Sequence, residues 1–222
     1  METRKERLPG GTVLFTTKNA PITTDALLLA GFCPVRPAYS VCDLGSGNGT
    51  LLLSLADRGL AGPAVGVELN PDAALLLERA IEENKFSFAS CHRGDLKSYR
   101  PGHRFRLVVA NPPYYTHGQT AHSPARALAR HQLACSLHDV CHTAAALLGD
   151  GGIFCLCWPS EFLAALFSEL EQAHFAPKRM QLVRKGPGEK ARLVLMEARK
   201  NGGAGLALLP DILLQHGETL HY

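Results

Sequence analysis

The stretch Asn111-Pro112-Pro113-Tyr114 follows an apolar run and combines residue types that suit the activation of an amino group. An exocyclic amino nitrogen is a poor nucleophile because its lone pair is delocalised into the ring or carbonyl. The side-chain carbonyl of Asn111 and the backbone carbonyl of Pro112 can accept its N–H groups, and the prolines hold these acceptors in place. Tyr114 offers a face for stacking a planar base or amide. We therefore predict that these four residues are catalytic; the alternative is a rigid turn.

A glycine-rich turn, Asp43-Leu-Gly-Ser-Gly-Asn-Gly49, comes earlier in the chain and suits a nucleoside cofactor. Glycines at the carboxyl end of a strand, next to a helix N-terminus, let the backbone approach a ligand. Glu68 ends the next predicted strand, where a carboxylate can bind both hydroxyls of a ribose. The combination favours S-adenosylmethionine (SAM) over NAD, and the lack of a P-loop lysine argues against ATP. The predicted cofactor-binding residues here are Asp43, Gly45, Ser46, Gly47, Gly49, Glu68, Leu69 and Asn111.

A metal site is a weaker hypothesis. The stretch HDVCH brings His138, Cys141 and His142 together on a predicted helix. Neither a CxxC pair nor HExxH accompanies it, so we expect ordinary helix residues and no metal. The seven cysteines lack the spacing of a disulfide framework and suggest small buried side chains in a reducing compartment.

Strands and helices alternate along most of the chain. YSVCDL, AVGVELN, FRLVVA and GGIFCLCW are predicted strands, and a helix is expected over about 50–57. Pro71 marks the start of another helix, and a long helical stretch is expected to break near Ser136. MQLVRKG and ARLVLMEAR predict a final antiparallel pair. This alternation implies a mostly parallel sheet with helices on both faces.

The chain is long enough for one domain over residues 1–222. We expect residues 1–35 to cover the cofactor and substrate side of the domain. Residues 36–200 are expected to form the catalytic core, and residues 201–222 are expected to form a C-terminal extension. METRKERLPGG has no apolar core, so we expect a cytoplasmic protein without a secretory signal. No window approaches the roughly 18 apolar residues of a membrane span.

Positive charge is concentrated in one segment. Residues 177–200 contain eight basic side chains against two acidic ones, although the net charge of the chain is only +3. Such a surplus suits a polyanion such as RNA. A solvated edge hairpin guarded by lysines and arginines explains the charge equally well.

The glycine turn, Glu68 and Asn111-Pro-Pro-Tyr114, in this order, resemble a class I methyltransferase that methylates amino groups. More narrowly, TTDALLLAGF, ANPPYY, ARHQLACSLHD, PKRMQLVRKG and VLMEARKNGGAGLALLP resemble the bacterial tRNA-valine adenine-N6 methyltransferases, from about Leu14 to Tyr222. The resemblance implies an α/β, Rossmann-like fold with a mostly parallel seven-stranded sheet, helices on both faces and an antiparallel C-terminal strand pair. It also implies methyl transfer from SAM, with S-adenosylhomocysteine as product, to the adenine immediately 3′ of the anticodon in tRNA.

Further candidate residues come partly from the resemblance and partly from the position, spacing and charge of the residues themselves. Asp95 is expected to accept from the cofactor's adenine amino group, with Leu96 beside it. Thr24 and Asp25 could line the methionine end of the cofactor or the target pocket, although a helix N-cap would explain one of them. The substrate-binding candidates are Thr24, Asp25, Tyr115, Arg126, Arg130, Lys178, Arg179 and Arg184.

Two departures from the family concern substrate contacts. The chain has Gln132 where many relatives have a glutamate, and Asp211 where relatives often have a second proline. The same Asn-Pro-Pro-Tyr chemistry also suits a ribosomal RNA base or a glutamine side chain of a release factor, so both stay open as substrates. A non-catalytic RNA-binding protein is the third hypothesis, although a pure binder has no need of a polarising Asn111.

Overall fold

A computed structural model describes residues 2–112 and 135–214. The strands are β1 (Arg4–Arg7), β2 (Val13–Thr16), β3 (Val41–Leu44), β4 (Ala64–Glu68), β5 (Ala89–Arg93), β6 (Phe105–Ala110), β7 (Leu148–Pro159), β8 (Phe175–Arg184), β9 (Ala191–Lys200), β10 (Ala207–Leu208) and β11 (Ile212–Leu213). The helices are α1 (Thr24–Phe32), α2 (Thr50–Asp57), α3 (Pro71–Glu83), α4 (Leu137–Leu147) and α5 (Leu163–Gln172). Short 3₁₀ turns span Leu96–Ser98 and Ser160–Phe162.

One nine-stranded sheet forms the centre of the fold, in the order β10-β8-β9-β7-β6-β3-β4-β5, with β11 also paired to β8. Strands β3 to β7 run parallel to one another, whereas β9 is antiparallel to both β7 and β8. The predicted α/β class, with its mostly parallel sheet and final antiparallel pair, is therefore confirmed. The C-terminal extension adds β10 and β11 to the predicted seven strands. A two-residue strand is too short to show a hydrophobic period, so the sequence does not predict β10 or β11. They form because they pair with the open edge of β8.

Helix starts follow the chemistry of their caps. The side chain of Asn70 accepts from the backbone N–H groups of Asp72 and Ala73, and Pro71 occupies the first turn of α3 as predicted. At α4, Ser136 and Asp139 form a capping box, at the position where the sequence predicts a break.

Both faces of the sheet are buried. Val41 and Val109 point into one apolar cluster with residues of α1, α2 and α3, while Cys42 and Val108 point into a second cluster with residues of α4 and α5. This alternation is the two-residue period of a strand. A parallel strand covered on both faces reads as an unbroken apolar run, as residues 107–110 of β6 do.

The N-terminal hairpin, β1 and β2, packs on the helices. The guanidinium of Arg79 in α3 lies 3.9 Å from the centroid of the Phe15 ring, and the carboxylate of Asp57 accepts from the backbone N–H groups of Gly10 and Thr12. Both β2 and the segment that follows it approach the glycine turn, because the carbonyls of Phe15 and Ala20 accept from Nδ2 of Asn48 at 3.3 and 3.1 Å. None of the helices in the two described ranges combines the length and apolar character needed to cross a bilayer.

Candidate active site

Three adjacent parallel strands end at one edge of the sheet, and each carries a predicted site residue there. The glycine turn follows β3, Glu68 ends β4, and Asn111 follows β6 directly. The chain proceeds from β3 to β4 and β5 on one side, and then returns to place β6 on the other side of β3. Ligands of open α/β sheets bind at such a switch point, outside the carboxyl ends of the strands.

The glycine turn holds its backbone open. Gly45 and Gly47 have φ of 72° and 56°, in the left-handed region that favours glycine, and no heavy atom lies within 4 Å of where their Cβ atoms would be. Their backbones are therefore free to contact a ligand. Gly49 is required for a second reason, because its Cβ would lie 2.4 Å from Cδ1 of Leu77.

Glu68 joins the turn to the end of β4. Its Oε2 accepts from the backbone N–H of Gly47 and its Oε1 accepts from that of Asn70, each at 2.7 Å. These bonds orient the carboxylate and leave a lone pair on each oxygen for a ribose hydroxyl. The neighbouring Leu69 is 43% exposed, so it offers an apolar surface at the same edge.

Buried polar atoms lie beneath the turn. The two carboxyl oxygens of Asp43 and the hydroxyl of Ser46 are buried without a hydrogen-bond partner in the described part of the chain. Burial, reinforced by the charge of Glu68, raises the pKa of Asp43 to about 8, although the backbone N–H of Leu52 in α2 opposes this shift.

These features fit SAM. Unpartnered buried groups are costly, so a ligand that supplies donors to Asp43 and Ser46 would stabilise them. The ordered carboxylate of Glu68 suits the ribose, and the two open glycines suit close contact with the cofactor.

Asp95 lies after β5, the strand next to β4. Its side chain accepts from the backbone N–H of Lys97 at 2.9 Å and so caps the 3₁₀ turn, while Leu96 is buried. Asp95 lies at the predicted edge of the sheet, where its Oδ1 forms this cap and its Oδ2 lies 3.4 Å from Nζ of Lys97. Its contact with the cofactor stays a prediction.

Asn111 is held by two residues that the sequence analysis missed. Its Oδ1 accepts from the thiol of Cys157 in β7 at 2.9 Å, and its Nδ2 donates to Oγ1 of Thr23 at 3.4 Å. Cys157 lies within the apolar run GGIFCLCW, which gives no sign of a polar role. Only the pairing of β7 with β6 brings the thiol to the end of β6.

The start of α1 differs from the expectation. Thr23, not Thr24 or Asp25, is the N-cap, and its Oγ1 accepts from the backbone N–H of Ala26 at 3.3 Å. Thr24 is exposed as the first helical residue. Partial burial raises the pKa of Asp25, opposed by the positive charge of Arg192. Asp25 therefore lies near the start of β9.

The predicted basic residues of β8 make contacts within the protein. Lys178 donates to the carbonyl of Gly203, Arg179 pairs with Glu197, and Arg184 pairs with Asp211. Lys178 and Arg179 lie in the first half of β8, away from the carboxyl edge. In and beside the β8–β9 turn, Lys185, Lys190 and Arg192 are exposed at that edge.

Several predicted residues lie outside the described ranges. They are Pro113, Tyr114, Tyr115, Arg126, Arg130 and Gln132. Their predicted roles stay predictions.

Comparison with known proteins agrees with the fold. The family model of the methyltransferase small domain matches residues 14–161. The T. thermophilus 16S rRNA N2 G1207 methyltransferase, solved with AdoMet and guanosine, superposes with a TM-score of 0.61 at 23% identity, over 90% of this chain and 50% of its own. Fold and site together define a class I, SAM-dependent methyltransferase.

Curated relatives narrow the family. The tRNA1(Val) (adenine(37)-N6)-methyltransferase of Cronobacter sakazakii is 31% identical over 207 residues, covering 90% of this chain and 82% of the relative. The enzyme of the same name from Tolumonas auensis is 34% identical over 142 residues, which cover 63% of this chain and 60% of the relative. The chain belongs to the family of these methyltransferases.

Proposed function

We propose that the protein transfers a methyl group from SAM to the N6 atom of adenine 37 in a valine tRNA. The observation that carries this proposal is the position of Asn111 at the end of β6, beside the glycine turn and Glu68. The curated relatives named for this reaction support the choice of substrate.

The proposed mechanism is based on orientation and polarisation. When bound, SAM supplies an electrophilic methyl group. Asn111 Oδ1 can accept two hydrogen bonds, and the Cys157 thiol donates one of them. Oδ1 and the carbonyl of Pro112 would accept the two N–H groups of the adenine. These bonds draw the amino protons away from N6 and direct its lone pair toward the methyl group, which raises the rate by positioning and electrostatics.

The target base has to leave its stack to reach Asn111. A loop adenine is less costly to extract than a paired one, which fits a nucleotide next to the anticodon. The exposed cations Lys185, Lys190 and Arg192 lie at the same edge of the sheet as Asn111 and would contact phosphates around the loop.

The direct test is methyl transfer from radiolabelled SAM to total tRNA, 30S ribosomal subunits and a release factor in parallel. Nucleoside digestion and sequencing of the labelled RNA then locate the product. Label in N6-methyladenosine of a valine tRNA is expected. Label confined to ribosomal RNA or protein would contradict the proposal and favour one of the other substrates. The rRNA methyltransferase among the structural neighbours makes the ribosomal substrate the second candidate.

Asn111→Ala separates an enzyme from a pure RNA binder. We expect kcat to fall by about 10²- to 10³-fold, the loss caused by removing one preorganised polar group, with tRNA affinity nearly unchanged. Gln172→Ala, which removes an exposed amide at the end of α5, is the control and should leave both quantities unchanged. Equal turnover in both variants would rule out the proposed role of Asn111.

A further inference from the structure

Two histidines and a carboxylate meet on the face of the protein that α4 and α5 form. His138 and His142 lie one turn apart on α4, with ring centroids 4.0 Å apart. Glu169 belongs to α5, and its Oε2 lies 3.0 Å from Nδ1 of His138. The three side chains thus come from two helices that the sequence separates by β7.

Their distances are close to those of a metal site. One ligand atom of each residue lies within 4.8 Å of the others. A zinc ion with bonds of about 2.0–2.2 Å holds tetrahedral ligand atoms about 3.4 Å apart. Small rotations close the difference, and they are feasible because the His138 side chain is 55% exposed. Water can complete the coordination from the open side.

Local electrostatics favour a cation here. Glu169 and Glu171 both lie in the last turn of α5, which contains no basic residue. The C-terminus of a helix carries partial negative charge, so two carboxylates there destabilise the helix end. A divalent cation bound by Glu169 would relieve this repulsion.

We propose that His138, His142 and Glu169 form a binding site for a divalent transition-metal ion, zinc being the best match, which links α4 to α5. Imidazole nitrogens suit zinc, copper and nickel, whereas magnesium and calcium prefer all-oxygen sites. A His₂-carboxylate set with open positions satisfies zinc without a cysteine ligand. The site lies on the face opposite to α1, α2 and α3, and no step of methyl transfer depends on it.

The test is a calorimetric titration of the full chain, free of any affinity tag, with zinc chloride. We compare wild type with His142→Ala and Glu169→Gln; His92→Ala and Glu82→Gln are the matched controls, both at exposed positions away from α4 and α5. The wild type and both controls should bind one zinc ion more than either site variant. If the site variants still bind the same number of zinc ions, their tightest binding step should be at least about tenfold weaker than that of wild type. Changes around metal ligands typically cost 10- to 100-fold in affinity.

Cobalt(II) provides a second readout that does not depend on stability. The wild type should develop the intense visible absorption of four-coordinate cobalt, and His142→Ala should lack it. Identical zinc stoichiometry and affinity in wild type and both site variants would overturn the proposal, as would a cobalt spectrum that His142→Ala leaves unchanged.

Discussion

The amide of Asn111 has a partner at each end, and the two contacts hold the plane of the amide in place. Cys157 donates to Oδ1, and Thr23 accepts from Nδ2. Thr23 also caps α1, so the orientation of Asn111 depends on where that helix begins.

Replacing Cys157 with Ala should lower kcat about two- to tenfold, because a hydrogen bond contributes about 0.5–1.5 kcal/mol and 1.36 kcal/mol corresponds to a tenfold change in rate. The Kd of SAM should stay the same. Cys157→Ser keeps a donor and should restore most of the activity. Cys155→Ala is the control, because it also removes a buried thiol from the same face of β7, but a thiol for which no contact to Asn111 is observed. Equal kcat losses in the two alanine variants, measured by single-turnover methyl transfer, would assign the effect to packing.

The buried carboxyl of Asp43 makes the stability of the cofactor-free protein depend on pH. Its pKa is about 8 in the folded chain against 3.8 for an ordinary aspartate, so the folded state retains a proton that the unfolded state has released. The stabilisation is fully present below about pH 4 and is lost as pH rises to about 8. Thermal unfolding between about pH 6 and 9 should show wild type losing Tm relative to Asp43→Asn, with the difference constant above pH 8.

Asp72→Asn, at the exposed N-terminus of α3, is the control for this titration, and its Tm should run parallel to that of wild type. A constant difference between wild type and Asp43→Asn over the whole pH range would show that Asp43 is ionised throughout.

At the scale of elements, the pairing of the last strands decides which basic residues lie near the site. Because β9 is antiparallel to β7, Leu193 lies beside Pro159 at the carboxyl edge, and the β8–β9 turn projects there. Lys178 and Arg179 belong to the other half of β8. The charge surplus of residues 177–200 is thereby divided between the two edges of the sheet.

Reversing charge at the turn, with Lys185→Glu, Lys190→Glu and Arg192→Glu combined, should weaken tRNA binding. It should also reduce the salt slope of log K by about 0.7–0.9 for each phosphate that the protein no longer neutralises. Arg104→Glu, an exposed change just before β6 at the opposite edge, serves as control. Binding is measured across a salt series. If the triple variant and Arg104→Glu bind tRNA identically, the RNA contacts another surface.

At the scale of the whole molecule, the site depends on the sheet because each group follows a different strand. Residues 43–49, Glu68 and Asn111 are brought together only when β3, β4 and β6 pair. The helices that bury the two faces of the sheet stabilise this pairing. Cofactor binding is therefore coupled to folding of the central sheet.

SAM at about a hundred times its Kd should stabilise the fold by about 2.7 kcal/mol. For a chain of this size the gain corresponds to a rise in Tm of about 5–10 °C. Glu68→Ala should lose most of this rise, whereas Glu78→Ala, which breaks an exposed pair with Arg93, should keep it. Differential scanning fluorimetry with and without SAM measures the rise in Tm of both variants. An undiminished rise in Glu68→Ala would exclude Glu68 from the cofactor site.

Local sequence patterns predict a large part of this protein. The alternation of apolar strands with helices predicts the fold class correctly, because a parallel sheet covered on both faces needs that order of elements. Helix starts at Pro71 and after Ser136 follow from capping chemistry within three residues. The glycine turn is equally local, since positive φ at Gly45 and Gly47 is a property of those residues alone.

Local sequence patterns do not predict long-range contacts, because these contacts depend on which segments pack together. Cys157 meets Asn111 across 46 positions and Glu169 meets His138 across 31, and neither pair has a sequence signal. Packing between distant segments also explains why β10 and β11 pair with β8. It explains equally the contacts that Lys178, Arg179 and Arg184 make within the protein. The sequence by itself determined the order of elements and the residue types at the strand ends, because both depend on neighbouring residues. Only the tertiary structure decided how the side chains at the strand ends are partnered, because strand pairing brings together residues that are distant in the chain.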